Sequence, residues 1–448
     1  MREGSLEPPK RVPIDWQSPD FYDEAKLEAE MRRVFEICHG CRLCFNMCDS
    51  FPRLFDLVDA AGEREVAGVA SADFKRVADV CTLCDMCFMV KCPYVPPHRF
   101  NVDFPHLMLR YRAVEHKQGI RPGFWENQLA KTDRNGRVCS HTSGLANWAS
   151  DLGNGAMRPL LEKVAGVDRQ AALPKYHRRT LEKRAKAEAP AINKSAPAHG
   201  RKAVLYATCF ANYNNPDIGT ALRRVLARNG VETEIVYPGC CGMPALEHGD
   251  IAAVAASAKA VAAALKPWID KGYDVVALVP SCALMLKFEW PLILPGHPEV
   301  EALGKATRDA AQYVVEIAKK EGLAPGLAGL DGGVTLHTAC HARAQNMGQK
   351  AAELLRLIPG IDLKVIERCS GHGGSWGVMK GNFDVALKVG KPVAHQAAEA
   401  GKAYVASECP LAGMHVLQGM ERVEAAGKIV PPRAPHPIEL FAKAYGLS

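Results

Sequence analysis

The sequence predicts a chain of two architectures, α-helical toward its N-terminus and α/β beyond it. Three observations carry this. Eight of the 16 cysteines fall in two tight runs within the first hundred residues, each following a segment of helical periodicity. After residue 200, short β-rich apolar runs alternate with amphipathic ones, the pattern of strand–helix units around a largely parallel sheet. Within that region three cysteine-ended motifs occur twice, 131 residues apart at Cys209 and Cys340, 129 at Gly242 and Gly371, and 127 at Cys282 and Cys409. A near-constant offset marks a duplicated unit.

The elements follow in chain order. In residues 21–37, Leu27, Met31, Val34 and Phe35 recur at helical spacing, and Asp20 is the expected N-cap. A similar stretch, 72–80, leads into Cys81, so both runs are expected at helix ends. Residues 111–200 form a helical connector. Its basic stretch KYHRRTLEKRAKAE, 175–188, reads as a solvated helical face, the alternative being a docking patch for anionic lipid or a partner subunit. The Ala/Pro-rich stretch 189–200 reads as a linker. The two units then occupy 201–330 and 331–448, after an N-terminal domain of 1–110. Each unit reads strand, Cys, helix, strand, Cys, helix, strand, Cys. KAVLYATC (202–209) matches GVTLHTAC (333–340), VETEIVYPGCCG (231–242) matches IDLKVIERCSG (361–371), and YDVVALVPSC (273–282) matches KAYVASEC (402–409). Cysteines just after parallel strands lie at the sheet edge where ligands collect.

The bulk numbers narrow the function classes. With 448 residues, 48% hydrophobic and 23% charged, the chain has the composition of a multidomain globular protein rather than a disordered one. A net charge of +7 permits an anionic membrane surface or an acidic partner without requiring either, and nothing points to nucleic acid. The opening MREGSLEPPK lacks the apolar stretch of a secretion signal, so the cysteines are expected to bind metal in the cytoplasm rather than form disulfides. No apolar run reaches the length of a transmembrane segment. The nearest, 251–265, is expected to be a buried Ala-rich helix of about four turns. Work at a membrane would then be peripheral, on its inner face.

The first cysteine run is Cys38, Cys41, Cys44 and Cys48; the second is Cys81, Cys84, Cys87 and Cys92, followed by Pro93. Three cysteines spaced by two residues wrap one corner of an iron–sulfur cubane, while the fourth of each run reaches the other cluster. This gives two [4Fe–4S] clusters, one held by Cys38, Cys41, Cys44 and Cys92, the other by Cys81, Cys84, Cys87 and Cys48. Two details depart from the bacterial ferredoxin run: Asp49 rather than Pro follows Cys48, and Cys92 comes one residue late. Structural zinc, the alternative, favours separated Cys-x2-Cys pairs rather than runs of four. Clusters in series pass on the output of a two-electron donor one electron at a time.

In the first unit Cys209, Cys240, Cys241 and Cys282 make a candidate third cluster, with Gly242 allowing close backbone approach and an N–H to sulfur. The second unit keeps Cys340, Cys369 and Cys409, with Ser370 replacing the paired cysteine. His341 is the candidate fourth ligand of a zinc or iron–sulfur site there, the alternative being a structural remnant. Cys139 reads as an ordinary half-buried thiol. No G-x-G-x-x-G follows a strand, so no flavin is expected on this chain and substrate oxidation is expected on another subunit.

The two N-terminal runs together with the duplicated Cys…CCG…Cys units resemble the C subunits of anaerobic glycerol-3-phosphate dehydrogenases. They also resemble the wider CCG-domain group: heterodisulfide reductase B and D subunits, and the iron–sulfur subunits of glycolate and lactate oxidases. CPYVPPHRFNVDFPHLMLR (92–110), HTACHARAQNMGQKAAELLRLIPG (337–360), ERCSGHGGSWGVMK (367–380) and HPIELFAKAYGL (436–447) carry the resemblance along nearly the whole chain. It implies an α-helical ferredoxin-type domain followed by two CCG domains. It also implies an electron-transfer subunit that takes electrons from a flavoprotein dehydrogenase and passes them toward a quinone or other acceptor. The alternative is a heterodisulfide or thiol–disulfide reductase acting at the first CCG site. The complete CCG unit ends in Cys-x-x-Cys, whereas Met285 and Ala412 stand at the second position here, which weakens that alternative.

Overall fold

The computed structural model describes residues 9–425 and 427–447. Its N-terminal part is built from α1 (Glu24–Cys41), α2 (Ser50–Ala60), α3 (Phe74–Ala78) and α4 (Phe104–Lys117). Helix α1 starts later than expected. The Asp23 carboxylate caps it by accepting the Lys26 N–H at 2.9 Å, while Pro19–Tyr22 forms a separate turn capped by Ser18. Asp23 is extended, and this breaks the run that the periodicity alone would have continued. The expected apolar stripe is buried, and Phe35 meets Phe74 edge-on at 5.1 Å while Phe51 meets Phe104 at 4.7 Å. Helix α4 runs straight through the boundary expected at 110.

The connector continues as α5 (Phe124–Ala130), α6 (Thr132–His141), α7 (Ser143–Ala149), α8 (Met157–Ala165) and α9 (Leu181–Ala187). Only the last part of the basic stretch is helical, starting where the Thr180 side chain caps the Lys183 N–H. The stretch 189–200 is not a free linker. Asn193 donates its N–H to the Ala227 carbonyl at 2.9 Å, and Ala196 and Ala198 are buried.

The duplication is visible in the sheets. The first holds four parallel strands ordered β2 (Glu232–Val236), β1 (Lys202–Tyr206), β3 (Asp274–Ala277) and β4 (Thr307–Asp309). The second holds β6 (Leu363–Ile366), β5 (Val334–His337) and β7 (Tyr404–Ser407), also parallel. Strand alternation sorts side chains between two cores. Val204, Tyr206 and Val275 join the N-terminal domain's core, so that domain and the first unit share one apolar interior. Ala203, Leu205 and Val276 point the other way, into a core shared with Val334, Leu336 and the C-terminal helix Pro437–Ala444. A third core, with Val405, Val393 and Met420, covers the far face of the second sheet.

The Ala-rich helix spans Ile251–Asp270, 20 residues, longer than expected. Among the described residues it is the one helix long and apolar enough to cross a membrane. Its residues Ile251, Val254, Ala258, Val261 and Leu265 are buried in the first unit's core.

Candidate iron–sulfur sites

Four groups of thiols lie along the molecule. Cys38, Cys41, Cys44 and Cys92 line one cavity, walled by Ile37, Leu43, Phe51, Phe55 and Val102. Burial pushes the Cys44 thiol up to about 12, with Cys92 and Cys41 adding to the rise, and it pushes Cys92 up to about 11. The late position of Cys92 is absorbed by a π-turn. Residues Cys87–Lys91 wind one residue wide, and the Cys92 N–H returns to the Cys87 carbonyl at 2.8 Å.

Cys48 turns away from its own run. Burial and then Cys81 raise its thiol to about 12, and Cys87 is raised by burial, Cys84, Cys81 and Cys48. The chain thus brings together the two crossed sets, with Cys44 among the thiols that raise Cys87. A third group adjoins the second. Cys84 is raised by burial and then by Cys340 and Cys369, and Cys340 by burial and then by Cys369 and Cys409. Met86, Leu284 and Ala344 form a small apolar cluster against Cys84 and Cys340, where the three domains meet. Cys282 in turn contributes to the rise at Cys409.

In the first unit the Cys209 and Cys240 sulfurs are 4.0 Å apart and unbonded. Cys240 is pushed well down because Cys209 and Cys241 hydrogen-bond to its sulfur; Cys209 rises correspondingly. The Gly242 N–H donates to Cys240 Sγ at 3.5 Å, and the indole of buried Trp290 donates to the Cys241 carbonyl at 3.1 Å. The second unit repeats the turn: the Gly371 N–H donates to Cys369 Sγ at 3.3 Å. Both glycines are left-handed, at φ +83° and +79°, so the same backbone device aims an N–H at sulfur twice.

His341 donates its Nε2–H to the Leu83 carbonyl at 3.3 Å, next to Cys84. A histidine that ligates through one nitrogen commonly anchors the other this way. Zn–S bonds of about 2.3 Å would draw ligands within about 4 Å of one another. Among the described residues no three His, Cys, Asp or Glu side chains gather tightly enough for a single ion. The two crossed sets each supply four thiols, one for each iron of a cubane. The thiols that burial raises, Cys44, Cys48, Cys92 and Cys340 among them, hold their protons without metal, so loading them releases protons. Cys139 joins none of the sets; its neighbour is Tyr176.

Several residues at these sites have no motif. Arg11 is mostly covered and donates to Asp85 at 2.6 Å, Asp103 at 3.0 Å and Glu289 at 2.8 Å, tying the loop between Cys84 and Cys87 to the first unit. His106 joins through Nε2 at 3.1 Å from Glu289. Helix α6 covers the first unit's site, with Thr132 Oγ1 3.6 Å from Cys240 Sγ and the Tyr237 hydroxyl donating to Asp133 at 3.0 Å. No local pattern announces such contacts, because their partners lie 74 to 278 residues away.

Known proteins share these features. Residues 31–118 match the Fer4-like domain of citrate utilization protein B, and 203–287 and 334–416 each match the cysteine-rich (CCG) domain. The chain is 28% identical over 343 residues to the C subunit of the anaerobic glycerol-3-phosphate dehydrogenase of Escherichia coli K12, covering 74% of this chain and 80% of that protein. It is 31% identical over 194 residues to lactate utilization protein A of a Geobacillus strain, covering 41% and 77%. It is 26% identical over 252 residues to the B subunit of the CoM/CoB fumarate reductase of Methanothermobacter marburgensis, covering 55% and 47%.

Proposed function

We propose, from the premise that this chain belongs to the CCG cysteine-rich-domain family of iron–sulfur oxidoreductase subunits, that it carries electrons from a flavin-dependent dehydrogenase to a membrane quinone. Cys38, Cys41, Cys44 and Cys92 hold one [4Fe–4S] cluster, and Cys48, Cys81, Cys84 and Cys87 hold the second. Cys209, Cys240, Cys241 and Cys282 hold a further cluster in the first unit, and Cys340, Cys369 and Cys409 take one in the second, with His341 beside it. The domains are the helical ferredoxin-type part, the connector and the two CCG units. The chain works peripherally on the inner face of the membrane.

The observation that carries this reading is the succession of thiols that feel one another's charge, from Cys92 by way of Cys44 to Cys87, and from Cys84 to Cys340, Cys409 and Cys282. Exposed Leu43, Phe45 and Val90 surround the first group and suit contact with the electron-donating flavoprotein. A disulfide reductase at Cys240–Cys241 is less suited, since α6 lies over that pair and the cavity of ≈430 Å³ in this molecule opens at Cys81 instead. Anaerobic purification with iron and sulfide counting tests the reading. Eight irons or more per chain and a dithionite-induced paramagnetic signal are expected; zinc without iron would end it.

A further inference from the structure

The cavity at Cys81 is walled by all three domains. Its lining includes Cys81 and Val80, Arg112 of α4, Ile120 and Pro122 before α5, Glu247 of the first unit and Trp376 of the second. Charged groups such as Lys75, Asp79, Glu115 and Glu126 share it. Its ≈430 Å³ lies within the range of small-molecule sites. Arg112 is held in place, its guanidinium donating to the Glu247 carbonyl at 2.9 Å and to the Ala78 and Cys81 carbonyls. The Glu247 carboxylate faces Gly374, where an added Cβ would lie 3.1 Å from its oxygen, so the second unit's Gly-rich loop leaves room for it. Burial raises that carboxyl to about 7, where it both holds and releases a proton near neutrality.

The mouth of the cavity adjoins an unusual surface. Of the seventeen exposed large apolar side chains among the described residues, nine lie in 120–164. Phe124 is 68% exposed, Leu145 66% and Trp148 56%, with Ile120 and Trp125 beside the mouth. Residues 120–164 hold six Lys and Arg against four Asp and Glu, and the following 165–190 seven against three. Tryptophans among aliphatic side chains, within a cationic segment, match the chemistry of an anionic bilayer surface.

We infer that residues 120–164 rest on an anionic bilayer and that the cavity beside Cys81 receives the head group of a lipophilic quinone from it. This rests on the quinone reading above and gives that acceptor a place. Trp376 and Val80 supply apolar walls for the ring, and Arg112 a donor for a ring oxygen. Clusters held by these thiols would supply the ring singly with two electrons drawn from the reduced flavoprotein. Glu247 gives one proton to a quinone oxygen, regains one from water, and gives the second. Quinone plus two electrons and two protons leaves quinol.

The test uses the full chain with its iron counted. A photoreactive azido-quinone with a short isoprenoid tail is expected to label peptides around 79–82, 120–126 or 373–376, and flotation with phosphatidylglycerol vesicles to exceed that with phosphatidylcholine at least fivefold. Ile120→Trp, at a half-exposed position, should narrow the mouth and lower both labelling and quinone reduction about tenfold, with the paramagnetic signals and artificial-dye reduction unchanged. Phe124→Ser with Trp148→Ser should abolish flotation while leaving reduction of a short-tailed quinone in place. Quinone reduction unaffected by Ile120→Trp, with label elsewhere, overturns this site but leaves the quinone reading standing. No quinone reduction at full iron content overturns that reading instead. Binding of the 120–164 face to the flavoprotein in place of vesicles overturns the membrane assignment.

Discussion

The two CCG units share strand order, thiol positions and the N–H···S turn, yet they are attached to the rest of the chain differently. The first unit merges its sheet with the N-terminal core and is tied to it by the largely buried Arg11–Asp85–Asp103–Glu289 group. The second meets the N-terminal domain through the His341–Leu83 hydrogen bond and the small Met86–Leu284–Ala344 cluster. The first unit has a fourth strand, a fourth thiol and a helix over its site; the second has Ser370 and a packed Gly-rich loop. The comparison teaches that a duplicated motif keeps its backbone geometry while its surroundings decide the role of each copy.

The attachment should break most visibly at Arg11. Arg11→Met leaves buried Asp85 and Glu289 and half-buried Asp103 without their shared cation. It is expected to cost about 3–5 kcal/mol in chemical denaturation, against about 1 kcal/mol for His341→Asn. Comparable losses for the two would erase the distinction.

The shared turn offers a second comparison. An alanine Cβ at Gly371 would meet the Ala386 carbonyl, whereas at Gly242 it would find Val254 no nearer than 3.5 Å. Both positions carry the left-handed strain of about 1–2 kcal/mol, but only Gly371 adds a backbone clash. Gly371→Ala should therefore destabilise by about 3 kcal/mol or more, and Gly242→Ala by about 1 kcal/mol. Equal effects in thermal melts would show that the two turns pack alike.

Glu247, where the units face each other, sharpens the comparison through pH. Its folded pKa of about 7 exceeds the usual 4.5, so between those values the folded chain holds a proton that the unfolded chain has released. Stability then falls as pH rises from about 4.5 to 7, by at most about 3 kcal/mol. Glu247→Gln removes this titration. The variant should match the wild type near pH 5 and exceed it near pH 8, and a gap that stays constant with pH would contradict the burial argument.

Much of this was legible in the sequence because cysteine spacing and strand alternation are local. The repeat and its parallel strands follow from short motifs, the twofold CCG-domain match agrees with the repeat, and the proposed crossed thiol sets rest on cysteine spacing. Local caps were harder, since Asp20 and Asp23 are equally suited by type and only the extended backbone at Asp23 decides between them. The 189–200 stretch looked like a linker by composition, but its Ala residues are buried against the first unit and Asn193 pins it. Arg11, Thr132 and Glu247 left no signal, because their meaning comes from partners far along the chain.

The central claim is that crossed sets of thiolates hold neighbouring iron–sulfur clusters. Electron paramagnetic resonance of anaerobically prepared, dithionite-reduced protein tests it most directly when wild type is set beside Cys92→Ser and Cys48→Ser. The account predicts interacting signals in the wild type, with Cys92→Ser altering the cluster of Cys38, Cys41 and Cys44, and Cys48→Ser altering the cluster of Cys81, Cys84 and Cys87. Each substitution altering only the cluster of its own run, or a silent iron-free wild type, would contradict it.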